Sequence, residues 1–124
     1  MVSAPAAAEA IELAKKLPDL NVGLHIVLSN GKATLPASEI PALVDSEGNF
    51  ESNQVSSGIK MFFNAEAKFQ LEKEIRAQFE AFKATGLTLD HVNAHNHMHM
   101  HPTVFSLILT IGSEYGLTAI RIPN

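Results

Sequence analysis

The sequence predicts an α/β protein with a mostly parallel sheet covered by helices. Two observations carry this: segments of helical and strand period follow one another in the order helix, strand, helix, strand, helix, strand, and that alternation is the pattern of strands joined by helical crossovers. A chain of 124 residues is long enough to bury one core as a single domain, 1–124, without staples.

Residues 5–17 are rich in Ala, Glu and Lys, with Pro5 suited to a first turn and Ile11, Leu13, Ala14 and Leu17 forming an apolar stripe. After "PD", the stretch "LNVGLHIVLS" alternates. Leu20, Val22, Leu24, Ile26 and Leu28 share one face and His25 the other, as on a strand. Residues 30–64 contain Gly31, Pro36, Pro41, Gly48 and Gly58 with little period. That is long for a plain connection and predicts a functional loop or flap over a site. Helical spacing returns over 65–85, with Leu71, Ile75, Phe79 and Phe82 on one side, Glu72 placed for Arg76, and Gly86 as the stop.

"LTLDHVNAHNHMHM" predicts the second strand, Pro102 opens a third helix that buries Val104, Phe105, Ile108, Leu109 and Ile111, and "LTAIRIP" predicts a further strand. Five of the six histidines fall at odd positions between 91 and 101. On a strand, His91, Asn93, His95, His97, His99 and His101 would share a face, with Val92, Ala94, Met98 and Met100 packed behind. Five imidazoles on one face exceed what a core can satisfy and predict a metal or catalytic site. In parallel folds, side chains near strand ends converge, so His25 is expected to meet the 95–99 region. Asp90, Asp45, Glu47 and Glu51 offer no clear third ligand.

Thirteen acidic against nine basic residues give a net charge of −4 with no basic run, so neither nucleic acid nor an anionic membrane is an expected partner. Zero cysteines exclude disulfides, thiolate metal sites and a cysteine nucleophile. No apolar run approaches a membrane span and no leader pattern opens the chain, which makes a cytoplasmic location the expectation.

"VGLHIVLSNGKATLP", "IPALVDSEGNF", "EIRAQFEAFKATGLTLDHVNAHNHMHMHP" and "YGLTAIRIP" together resemble the central part of the YdjC-like carbohydrate (chitooligosaccharide) deacetylases. "AQFEAFKATGLTLDHVNAH" is most similar to the branch associated with hopanoid biosynthesis. The resemblance implies a partial distorted (β/α) barrel, truncated at both ends, and hydrolysis of an N-acetyl group from an amino sugar. The family's first strand carries a paired-aspartate motif that is expected to precede this chain; without it, these residues alone are expected to be inactive. The family's metal-binding histidines fall on His25 and His95, with one divalent ion, Mg²⁺ or Zn²⁺, as cofactor. His97 and His99 match further motif histidines and are expected to serve as the acid or to orient substrate. Asn93, where the wider family carries aspartate, and Arg121 are expected at the substrate. A partial barrel would leave apolar faces uncovered and favour a homo-oligomer. A metal-dependent phosphoesterase and a noncatalytic metal or sugar-binding module are the alternatives.

Overall fold

The computed structural model describes residues 1–53, 58 and 63–123. Helix α1 (Ala7–Lys16) precedes strand β1 (Leu24–Ile26); helix α2 (Ala65–Ala84) leads to strand β2 (Val92–Ala94), a short 3-10 segment (His95–Met100) and helix α3 (Pro102–Glu114). β1 and β2 pair in parallel with Leu24 opposite Val92, His25 opposite Asn93 and Ile26 opposite Ala94. A third stretch joins β2 by a parallel bridge, Val92 to Ile120, through Val92 N–H to Ala119 O and Arg121 N–H to Val92 O. The architecture is α/β with a small parallel sheet, as the alternation of periods predicts.

Core packing follows the strand parity. Leu24, Ile26 and Leu28 are buried, while His25 keeps partial access. α2 supplies Leu71, Ile75, Phe79 and Phe82, all buried, each worth roughly 1.5–3 kcal/mol in area removed from water. Its N-terminus is capped by the Asn64 side chain, which accepts from Ala67 N–H, and Gly86 takes the left-handed conformation (φ 78°) just past its end. The expected Glu72–Arg76 pair forms, and Arg76 also reaches Glu114 on α3.

Three expectations need correction. In α1 only Ala14 is buried, and Leu13 and Leu17 are exposed, because nothing among the described residues covers that stripe. In α3, Val104, Ile108 and Ile111 are buried but Leu109 is exposed: Gly112, one turn on, takes the face turned to α2. A Cβ on Gly112 would stand 2.5 Å from Leu117 Cδ2 and 3.2 Å from Phe79 Cζ. Gly112→Ala is therefore expected to destabilise by about 1 kcal/mol, overpacking outweighing the helix propensity gained. Leu117→Ala in that background should recover part of the loss in a denaturant titration.

The third correction concerns the histidine stretch. The strand stops at Ala94, and the chain then turns through Asn96 (φ 52°) and His97 (φ 55°), both left-handed. Asparagine tolerates that region better than most residues; for histidine it is a local strain. Parity is thereby lost after His95: Met98 is buried as expected, but Met100 is exposed and His99 is interior.

The segment after β1 is packed rather than open. Lys32 bridges Asn49 and Val44 bridges Phe50, both antiparallel, and Ala33, Ile40, Leu43 and Phe50 are buried. α2 holds this segment with a second stripe at i, i+4 and i+8. Gln70 Oε1 accepts from Ala42 N–H; Glu74 accepts from Thr34 N–H and Leu35 N–H; Gln78 accepts from Val27 N–H and donates to Val27 O. All three side chains are buried. Residues 54–57 and 59–62 of the predicted flap lie outside the described residues. Among those described, no helix is long and apolar enough to cross a membrane.

Candidate metal and acyl-binding site

Parallel register decides which polar side chains meet. His25 stands opposite Asn93, and the Val92–Ile120 bridge sets Arg121 beside Asn93 in the third strand. By strand alternation His25, Asn93 and Arg121 then form a row on the face opposite Leu24, Val92 and Ile120. All three line one cavity of about 90 Å³, together with Ala94, His97 and His99.

Within the row, His25 Nδ1–H donates to Asn93 Oδ1 at 2.5 Å. That bond selects the tautomer and leaves the His25 Nε2 lone pair free. Nε2 faces His95 Nδ1 at 3.4 Å, with the two rings edge-on and 5.6 Å between centroids. Two nitrogens each about 2.0–2.1 Å from a tetrahedral zinc ion stand about 3.3 Å apart. The donor pair thus suits a shared divalent ion, and His25 and His95 are the residues that would hold it. Among the described residues no group of three or more His, Asp or Glu is gathered to complete such a site.

Burial pushes the His25 imidazole below its ordinary range, with the Asn93 hydrogen bond pulling the other way. The folded chain therefore binds a proton on His25 less readily than the unfolded chain. This group's contribution is fully present above its unfolded pKa of about 6.5 and is eroded as pH falls through that value toward the depressed folded one. Thermal unfolding followed from about pH 8 to about pH 5 is expected to show declining stability, and His25→Gln should flatten part of that decline.

The remaining histidines separate into different tasks. His97 is exposed on the left-handed turn, with its ring 6.2 Å from that of His99. His99 is buried, donates from Nε2–H to Arg121 O at 2.8 Å, and keeps Nδ1 without a hydrogen bond. His101 caps α3, its Nδ1 accepting from Thr103 N–H, and its Nε2–H donates to Gly58 O. His91, at the other end of the strand, bonds Asp90 and lies over Gly23, where any Cβ would collide with its ring.

Two anchors escaped the sequence reasoning. Ser29 is fully buried and its Oγ accepts from Asn96 Nδ2, tying the exit of β1 to the turn that carries His95 and His97. Gln78 grips both polar groups of the Val27 peptide, two residues beyond His25. The polar spacing Gln70, Glu74, Gln78 inside an otherwise apolar flank is the signal that could have revealed the second anchor.

The family described as "YdjC-like protein" matches over residues 1–124. Among curated relatives, a protein of Brevibacillus brevis named "Carbohydrate deacetylase" is 36% identical over 123 residues, which are 99% of this chain and 46% of the relative. One of the same name from Geobacillus stearothermophilus is 36% identical over 118 residues, covering 94% and 44%. The crystal structure of an Enterococcus faecalis V583 protein described in terms of cellobiose-phosphate cleavage superposes with a TM-score of 0.78 at 26% identity, over 96% of this chain and 45% of that one. The chain thus spans less than half the length of these relatives.

Proposed function

The chain belongs to the YdjC-like family, and on that premise we propose that it carries the histidine part of a metal-dependent carbohydrate deacetylase. The substrate in this reading is an N-acetylated amino sugar, an N-acetylglucosaminyl unit borne on an oligosaccharide or a hopanoid. The observation that supports it most directly is the facing pair His25 Nε2 and His95 Nδ1, 3.4 Å apart, with His25 held in the ligating tautomer by Asn93. The names of the 33–38% identical relatives point to the same reaction.

A bound divalent ion, Zn²⁺ or Mg²⁺, supplies the polarisation that amide hydrolysis needs; two imidazoles favour the former. His25 and His95 bind it, and Asn93 orients His25. His97, exposed beside the cavity, is the residue of this chain placed to give a proton to the departing amine. The third ligand and the general base belong, in this proposal, to the part of the relatives' length that the chain does not span. A (β/α) barrel, of which these strands form a sector, and a second copy covering Leu13, Leu17 and Leu20 complete the reading.

The test is acetate release from N-acetylglucosaminyl substrates by the complete protein. A second reading, metal-dependent cleavage of a phosphorylated sugar, is favoured by the description of the Enterococcus structure. Phosphate release without acetate release would replace the first reading with the second.

A further inference from the structure

The cavity beside the histidine pair has a one-sided hydrogen-bonding character that follows from who already bonds to whom. Asn93 Oδ1 is taken by His25 Nδ1–H, which leaves the Asn93 amide with two N–H donors to offer. The main-chain carbonyl of Arg121 is taken by His99 Nε2–H, so Arg121 contributes its guanidinium, a donor without acceptor capacity. Two acceptors that could have faced the cavity are thus consumed, and two donor groups on its lining remain. At about 90 Å³ the space equals about three waters at roughly 30 Å³ each. That admits a group of three or four heavy atoms and not a sugar ring.

We propose that this cavity is a subsite for an acceptor oxygen, in which Asn93 Nδ2–H and the Arg121 guanidinium hold a small carboxylate or the carbonyl oxygen of a short acyl group. The inference rests on the deacetylase reading only for the identity of the acyl group, acetyl; the donor character stands on the hydrogen bonds themselves. Asparagine at 93 then does two things at once. Its oxygen orients His25, and its nitrogen serves the ligand. Aspartate at this position could do the first better and the second not at all, since an ionised carboxylate only accepts.

The two roles give Asn93→Asp effects of opposite sign, which a purely structural role would not produce. Sodium acetate, added to isotope-labelled protein, is expected to shift the Asn93 side-chain amide resonances in a saturable way, while the bulkier pivalate leaves them in place. Asn93→Asp should weaken acetate roughly tenfold or more through loss of a donor and charge repulsion. The same substitution should tighten Co²⁺ on the histidine pair, read from its visible spectrum, because a carboxylate raises imidazole basicity. Arg121→Gln, at an exposed side chain, should weaken acetate and leave Co²⁺ unchanged. Acetate that binds Asn93→Asp as tightly as the parent, or binds without moving the Asn93 amide signals, would overturn the proposal. Failure of the deacetylase reading shows separately, as absence of acetate release from N-acetylated sugars by the complete protein.

Discussion

Replacing Glu74 by alanine is expected to destabilise the fold by about 3 kcal/mol, the largest effect of any single polar substitution outside the histidine site. The side chain is fully buried. Oε1 accepts from Thr34 N–H at 2.7 Å and from Gln78 Nε2 at 2.9 Å, and Oε2 accepts from Leu35 N–H at 2.9 Å. Alanine would leave two main-chain N–H groups and one amide N–H without their partner in a place water reaches poorly, each at roughly 1–3 kcal/mol before relaxation. Glu74→Gln keeps the shape and one acceptor, and should cost about half as much. Urea unfolding gives the magnitude, and limited proteolysis should show the new cuts within residues 30–50. A Glu74→Ala protein as stable as the parent would mean that the α2 stripe does not hold this segment.

His25→Ala and His95→Ala in the complete protein are each expected to abolish retention of the divalent ion and, with it, acetate release. Loss of an outer partner of a metal ligand costs roughly 10–100-fold in affinity, and loss of a ligand itself costs more. The two positions should behave alike despite standing 70 residues apart, because both nitrogens face one point. His97→Ala should differ: it lines the cavity but does not face the pair, so metal content should persist while turnover falls by roughly 10²–10⁴-fold. Elemental analysis alongside an acetate assay separates the three variants, and unchanged metal content in His25→Ala or His95→Ala would sink the ligand assignment.

The buried residues of α2, the polar facing of His25 against Leu24 and Ile26, and the convergence of His25 with His95 were all legible in the sequence. Each depends on a local period, 3.6 or 2, and on a parallel order that the alternation of elements implies. The row of histidines was misleading for a local reason. Strand parity holds only while φ stays negative, and two left-handed residues after His95 send His97 outward, His99 inward and His101 to the start of α3. Nothing in an H-x-H-x-H spacing distinguishes a strand from such a turn.

The sequence by itself therefore determined the class of fold, the family and the residue types of the site, because periodicity and donor chemistry are properties of neighbouring residues. Only the tertiary structure decided which histidine does what. Tautomers, partners and burial depend on groups far away in the chain: Asn93 for His25, Arg121 O for His99, Gly58 O for His101, Ser29 for Asn96. A hydrogen bond across two strands is set by register, and register exists only once the strands have met.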